Sequence, residues 1–417
     1  MTKKLFFIKS AVIFLLAGSI ASSLADIENP KTKWFKGCIH AHTLWSDGQD
    51  YPEWFAVYYK EHGYNFVSFT DHNITQQGAK WVDEKELLSK RCAERFGADW
   101  IESRELEGKK QVKLKTLNEF RHLFEEPGKF MFISGEEITP ARGHVNVINS
   151  TERLGVKDES GNDTQILQTN IDWIREHEKQ ANQPMIATVN HPNWQWFIQT
   201  EDILPLTGQV FVEIYNAANG CKNFGDENRV SMERMWDILL AMRLGVLDLP
   251  IIYGTATDDT HGWYDSAGPG RGWVVVRSAY LTPNHIVNAM KAGDFYASSG
   301  VGLKDVQFDG STLTVEVEPE ADVSFTIRFI GTKKGFDTST QEKTFKDADK
   351  DCTLLVYSDE IGTVLKEVKA NKAQYSLTGD ELYVRATIIS SKLKERPHVP
   401  GEFERAWTQP FVPRESR

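Results

Sequence analysis

The chain has 417 residues, of which 40% are apolar and 26% charged, a balance that is typical of globular proteins and enough for a substantial core. This length suits two domains better than one. The formal net charge of −11 argues against a nucleic-acid-binding protein, because such proteins present a basic surface to phosphates.

The first 25 residues have the layout of a secretory signal peptide. Three lysines precede an apolar run over residues 10–20, and small residues at positions 23 and 25 resemble a cleavage site. The run is shorter than the roughly 20 residues that span a bilayer, although a retained N-terminal anchor is the alternative. Removing the segment takes away three lysines and no acid, so the net charge would move from −11 to −14. We therefore predict an exported protein, periplasmic or secreted, with no membrane span in the mature chain.

From about residue 33 to 300, short apolar runs alternate with helical patterns, which predicts an α/β domain. A helix is expected from Pro52 to about His62, with Gly63 ending it. Further helices are expected over 170–180 and 231–242, and in the charged segment 79–126. The predicted strands cover residues 65–70, 130–133, 145–148, 185–189, 210–215 and 251–254.

After Gly300 the pattern changes to alternating apolar and polar residues, with strands predicted over 313–317, 323–327 and 382–387. Turn residues separate these runs, as in a small antiparallel sandwich. The sequence thus predicts a first domain over 33–300 and a small all-β sandwich over 301–417, in which no metal ligand is recognised.

Histidines and acidic residues stand at the ends of the predicted strands of the first domain. His40 and His42 are two residues apart and so share one face of a strand, from which one metal ion can receive two nitrogens. The other motifs are Asp47, Asp71-His72, Glu136-Glu137, His144, His191 and Asp259-Thr260-His261.

The carboxyl ends of strands in a parallel barrel converge on one mouth, so these side chains should meet there. Six histidines with several carboxylates are costly to gather unless cations balance them. Mixed imidazole and carboxylate ligands suit zinc, manganese or iron, and the sequence does not choose among these metals.

The order of these motifs resembles that of the PHP family (polymerase and histidinol phosphatase domains) over residues 34–300. The segments Trp34-Phe35-Lys36-Gly37 and Trp236-Asp237-Ile238-Leu239 look like exported members with a C-terminal β domain, including the group named after carbaryl-hydrolysing enzymes. The resemblance implies a distorted (β/α)7 barrel that holds two or three divalent metal ions.

The resemblance also implies a set of ligands for each metal. The first metal would be bound by His40, His42, Glu137 and Asp259. Glu137 would bridge to a second metal, bound by His144 and His191, and is preferred to Glu136 because it fits the family's Gly-x-Glu pattern. A third metal would be bound by Asp47, His72 and His261. Many three-metal members carry His at the position of Asp47, so two metals are the alternative to three.

Two or more metal ions of this kind imply a hydrolase that uses a metal-activated water. Besides Glu137 and Asp259, the predicted catalytic residues are Arg142 and Arg271, since an arginine fork can bind two oxygens of a phosphate.

The leading hypothesis is a phosphoesterase with a small phosphorylated substrate and no nucleic-acid partner. A carbamate or carboxylic ester hydrolase is the rival, with Trp194, Trp196, Trp263 and Tyr264 as pocket walls. An idle module that binds a glycan or envelope component is a third possibility, and the oligomeric state is open.

Overall fold

The computed structural model describes residues 31–263, 268–347 and 350–413. The predicted signal peptide, 1–25, lies outside these residues, as does Tyr264. Within the described part of the chain, no helix has both the length and the apolar character needed to cross a bilayer.

The helices begin and end where local sequence signals place them. Pro52 opens the first helix and Gly63, with a φ of 74°, follows its end. In the longest helix, Asn162 and Gln165 cap each other's backbone amides, and Asn182 ends it in the left-handed conformation. The helices are α1 (Pro52–Glu61), α2 (Glu86–Phe96), α3 (Leu117–Phe120), α4 (Asp163–Ala181), α5 (Thr200–Ile203), α6 (Met232–Gly245) and α7 (Pro283–Lys291).

Most strands of the first 300 residues are short and fully buried. In chain order they are β1 (Lys33–Cys38), β2 (Phe66–Val67), β3 (Trp81–Asp83), β4 (Ser103–Leu106), β5 (Lys109–Lys113), β6 (Met131–Phe132), β7 (Gly135–Ile138), β8 (Val145–Ile148), β9 (Ile186–Val189), β10 (Phe211–Asn216), β11 (Tyr253–Thr257), β12 (Trp273–Ser278) and β13 (Phe295–Ser298). All six strands predicted in this region are present, two of them shortened to two residues.

The remaining strands follow residue 300 and confirm the all-β character predicted there. They are β14 (Leu303–Phe308), β15 (Thr312–Val317), β16 (Phe325–Lys333), β17 (Thr340–Asp347), β18 (Lys350–Tyr357), β19 (Thr363–Lys369), β20 (Lys372–Ser376), β21 (Glu381–Leu393) and β22 (Phe403–Thr408).

The predicted α/β character is confirmed, but the closed (β/α)7 barrel is not. Among the described residues, the strands of the first region other than β3, β4 and β5 divide between a nine-stranded sheet, ordered β19-β16-β21-β22-β13-β12-β1-β2-β6, and a five-stranded sheet, ordered β11-β10-β9-β8-β7. In the described part of the chain, isolated bridges join these two sheets, at Ala41 with Thr260 and His72 with Glu137. Strand β1 pairs antiparallel with β12, and β8 pairs antiparallel with both β7 and β9, whereas the strands of a (β/α) barrel are parallel.

The charged segment 79–126 is only partly helical, which corrects the prediction of helices alone. Strands β3, β5 and β4 form a small antiparallel sheet beside α2. Most side chains of β4 and β5 are exposed, so a largely polar composition suffices for strands at the surface.

The two regions share a sheet instead of meeting as separate bodies. Strand β22 pairs antiparallel with β13, which continues the nine-stranded sheet across residue 300. A separate three-stranded sheet, β14-β15-β20, packs its apolar face on β16 and β21 around Val315, Phe329 and Ile388, as in a sandwich. The predicted boundary at residue 300 therefore separates two compositions but not two sheets.

Candidate metal centre

All nine predicted metal ligands come together where the two sheets are bridged. Ala41 lies in one bridge, and the backbone amide of His42 donates to the carbonyl of Thr260 over 2.7 Å, which brings the end of β1 beside the end of β11. His72 and Glu137 form the other bridge, between the extension of β2 and strand β7. The isolated bridges thus lie at the ligands themselves.

His40, His42 and Asp259 form the most buried part of the cluster. Asp259 Oδ1 lies 3.2 Å from His40 Nε2 and 3.1 Å from His42 Nε2, and those two nitrogens are 3.2 Å apart. Both imidazoles are fully buried. One carboxylate oxygen and two imidazole nitrogens are thus close enough to bind a single metal ion.

Glu137 occupies the middle of the cluster. Its Oε2 lies 2.7 Å from His72 Nδ1. Its Oε1 lies 3.1 Å from His144 Nδ1 and 3.3 Å from His191 Nε2. The neighbouring Glu136 points elsewhere and accepts the backbone amides of residues 154 and 155. Of these two adjacent glutamates, Glu137 is the one whose carboxylate lies among the histidines.

Asp47 closes the exposed side of the cluster. Its carboxylate lies 3.6 Å from His72 Nε2 and 3.4 Å from His261 Nε2, and its side chain is 57% exposed. His42 Nδ1 is 3.8 Å away. These four residues, His42, Asp47, His72 and His261, make a second group of possible ligands, which shares His42 with the buried group.

The side chains fit divalent cations. Four sets of three or four residues could each hold an ion, with ligand atoms within 4.8 Å of one another. Asp259 Oδ1 is buried and has no hydrogen-bond partner, although the Nε2 atoms of His40 and His42 lie 3.2 and 3.1 Å away. A buried carboxylate oxygen without a donor is costly, and a shared cation is the partner that this geometry accommodates.

Two of the ligands have a backbone conformation that non-glycine residues rarely adopt. The φ angle is 25° at His191 and 48° at Asp259. Such strain persists only where the surrounding contacts determine it, and it is concentrated at functional sites. It places both side chains toward the cluster directly after their strands end.

The carboxylates shift the pKa values of the imidazoles. Burial would lower the pKa of His72 and His261, but nearby carboxylates outweigh it. Asp47 and Glu137 raise the pKa of His72 to about 10, and Asp47 and Asp259 raise the pKa of His261 to about 9. Burial likewise opposes ionisation of Glu137 and Asp259, yet the nearby histidines hold the pKa of each carboxyl well below its usual value.

Metal binding is therefore expected to release protons. Metals bind the unprotonated imidazole, whereas His72 and His261 hold their protons near neutral pH because their pKa values are about 10 and 9. Zinc affinity should consequently rise with pH from about 7 to 9 and fall on acidification. Calorimetric titration in buffers of different ionisation enthalpy measures the protons released. Equal heats in all buffers would contradict this prediction.

The structure adds three residues that support the ligands. Glu213 Oε1 lies 2.6 Å from His40 Nδ1. Asn190 Nδ2 donates to Glu137 Oε1 over 2.8 Å, and Asn216 Nδ2 donates to Asp259 Oδ2 over 3.0 Å. Only its position before His191, at a strand end, could have indicated Asn190.

The two predicted catalytic arginines lie in different surroundings. Arg142 is half exposed, pairs with Asp163 over 2.6 Å and donates to the carbonyl of Phe197. Arg271 is 2% exposed, and its Nη1 donates to the carbonyl of Ala217 over 2.5 Å. Arg142 is thus open to a substrate, while Arg271 is packed behind the loop that follows β10. The catalytic role of Arg271 stays a prediction.

The tryptophans that were predicted to line the pocket lie in different parts of the structure. The Trp194 ring lies 5.8 Å from that of His191 and 6.3 Å from that of His144, beside the cluster. Trp263 stacks on Phe55 and donates to Asp50, while Trp196 lines a cleft with residues of β18. Of the described candidates, Trp194 has ring contacts with the metal-ligand histidines.

No family model and no curated protein matches the chain. One similar solved structure is a two-domain protein from Bacteroides vulgatus that contains a predicted PHP-like metal-dependent phosphoesterase; the match covers 92% of this chain and 98% of that one, with 14% identity and a TM-score of 0.37. Another, from Bifidobacterium adolescentis and described as a proposed metal-dependent phosphoesterase, has 12% identity, covers 56% and 89%, and has a TM-score of 0.26. At these TM-scores neither likeness defines the fold or the activity of this chain.

Proposed function

We propose that the protein is an exported, metal-dependent hydrolase of the PHP type, and specifically a phosphoesterase that acts on a small phosphorylated molecule. The observation that carries the proposal is the position of Glu137 and Asp259 among six histidines, with Asp259 Oδ1 buried and without a hydrogen-bond partner. Zinc, manganese or iron suits these ligands, in two or three sites.

The buried and the exposed residues of the cluster would contribute to the reaction in different ways. Divalent cations held there would lower the pKa of a water molecule and stabilise negative charge on the substrate oxygen. Glu137 and Asp259, with the buried His40 and His42, hold the ligand atoms at fixed separations. Asp47, on the exposed side, lies where substrate and water enter.

Of the two predicted arginines, Arg142 is the exposed one, and we assign it the binding of a phosphoryl group. It lies two residues before His144, and its guanidinium is 5.8 Å from the Phe197 ring, which in turn is 5.3 Å from that of Trp194. Its pairing with Asp163 is exposed to solvent on the arginine side, so a substrate phosphate can replace that carboxylate. Arginine also matches the two-oxygen geometry of a phosphate.

Arg142→Ala should reduce turnover of phosphoesters without changing metal content. Loss of one charge-assisted contact in the transition state is worth roughly 2–4 kcal/mol, or about 30- to 1000-fold in rate. The measurement is a steady-state comparison of the metal-loaded protein on a phosphodiester, a phosphomonoester and an aryl carbamate. Arg175, which pairs with Asp172 on the surface of α4, provides the matched control, Arg175→Ala.

A carbamate or carboxylic ester hydrolase is the second candidate, favoured by Trp194 against His144 and His191. An apolar wall of this kind suits a neutral aromatic substrate better than a charged one. If the aryl carbamate is the best substrate and Arg142→Ala does not affect it, the phosphoesterase proposal is wrong and the ester hydrolase replaces it. An idle binding module is disfavoured because every predicted ligand reaches the cluster.

A further inference from the structure

Two buried polar residues of β10, Glu213 and Asn216, both face the metal centre although their spacing argues against it. Residues three apart in a regular strand point to opposite faces. The pairing between β10 and β11 shifts at this point, so that Glu213 is opposite Thr255 while Tyr215 is opposite Ala256. The shift is a β-bulge, which turns the following side chain and brings both residues to the same side.

Glu213 contacts two ligands of the centre at once. Its Oε1 accepts from His40 Nδ1 over 2.6 Å and from the hydroxyl of Thr257 over 2.7 Å. Its Oε2 accepts the backbone amide of His191 over 2.8 Å. An ionised carboxylate only accepts hydrogen bonds, so His40 carries its proton on Nδ1 and directs the Nε2 lone pair into the cluster.

Asn216 links Glu213 to the third ligand. Its Nδ2 donates to Glu213 Oε2 over 2.8 Å and to Asp259 Oδ2 over 3.0 Å, which uses both hydrogens of the amide. Its Oδ1 accepts the backbone amide of Ala218 over 2.8 Å, which fixes the orientation of the side chain. Asp259 is therefore held in place through Oδ2, which leaves Oδ1 available to a cation.

We infer that Glu213 and Asn216 form a positioning pair, assembled by the bulge in β10, that orients His40, His191 and Asp259 for metal binding. The inference rests on the proposed metal centre and assigns it a support outside the ligands themselves. A purely structural role, in which the pair only satisfies buried polar groups, would affect folding but not the properties of the bound metal.

The experiment uses Glu213→Gln and Asn216→Ala in the full chain, with cobalt(II) as the probe because zinc has no visible absorption. The matched control is Thr188→Val on the neighbouring strand β9, which removes a buried hydroxyl without a hydrogen-bond partner. Calorimetry gives the cobalt affinity, the visible spectrum reports ligand geometry, and urea unfolding of the metal-free proteins reports stability.

Both variants should bind cobalt about 10- to 100-fold more weakly than the wild type, with altered visible absorption, as expected when an outer partner of a ligand is lost. Thr188→Val should match the wild type. Wild-type affinity and spectrum in both variants would overturn the inference, as would a loss fully explained by unfolding. A wild-type protein that binds no cobalt would instead refute the proposed metal centre. The two variants alter the pair separately, so misfolding of one leaves the other as a test.

Discussion

Replacing Glu137 with glutamine should abolish tight metal binding and hydrolysis together. Glu137 is fully buried, and its two oxygens lie within 3.6 Å of nitrogens from five histidines, His40, His42, His72, His144 and His191. Glutamine keeps the shape but removes the charge and one acceptor oxygen. Losing a residue that only contacts a metal ligand weakens metal binding by up to roughly 100-fold. Because Glu137 is proposed as a ligand itself, its replacement should weaken metal binding by more than that.

Glu136→Gln is the matched control, because it makes the same chemical change one residue away. Glu136 accepts the amides of Leu154 and Gly155 over 2.8 and 2.9 Å and has no part in the cluster. Elemental analysis and calorimetry should show metal content and affinity close to those of the wild type. If Glu136→Gln lost more metal than Glu137→Gln, the assignment of the bridging carboxylate would be off by one residue.

Asp237→Ala should destabilise the protein by about 3–5 kcal/mol, the usual effect of removing one partner of a buried ion pair. Arg385 of β21 is fully buried and donates to both oxygens of Asp237 on α6, over 2.8 and 2.6 Å. Tyr383 donates to the same carboxylate over 2.8 Å. The variant leaves a buried guanidinium that keeps its contacts to Glu233 and to the hydroxyl of Thr387 but loses both bonds to Asp237. The free energy of unfolding in urea is the measurement.

An exposed pair provides the comparison. Arg328 and Glu367, on adjacent strands of the same sheet, are 2.6 Å apart with about half of each side chain in solvent. Glu367→Ala should cost no more than about 1 kcal/mol, because solvent screens such pairs. Equal destabilisation by Asp237→Ala and Glu367→Ala would show that the contact between α6 and β21 does not hold the two regions together.

The residues of the metal centre could be predicted because each carries a local signal. His40 and His42 alternate on a strand, and Asp259 and His261 repeat that spacing at the end of another. Strand ends of an α/β domain converge, so separate motifs could be assigned to one place. The order of the motifs then indicated which residues would share a metal.

The support around those residues depends on features without a local signal. A regular strand would place Asn216 on the face opposite Glu213, and the bulge that reverses this arises from pairing with β11. The loop between β21 and β22 is equally remote in sequence. Its Lys394 donates to the hydroxyl of Tyr215 and the carbonyl of Arg271, behind the strand ends that carry the ligands.

The dependence on pairing between distant segments also applies to the (β/α)7 barrel that the resemblance implied, which the structure does not confirm. Alternation of strands and helices predicts parallel neighbours, and for β9, β10 and β11 that is correct. Nothing local showed that β12 would pair antiparallel with β1, or that β22 would pair with β13 and extend the sheet. Strand direction depends on connections between distant segments, which burial patterns do not specify.

Elemental analysis of the purified protein tests most directly whether the cluster binds divalent metal ions. Purification in metal-replete buffer without chelator should yield at least two equivalents of zinc, manganese or iron per chain, as expected for Glu137 bridging two sites. Treatment with a chelator should remove the metal and abolish hydrolysis, and adding the metal back should restore it. Less than one equivalent after such a purification would contradict the account.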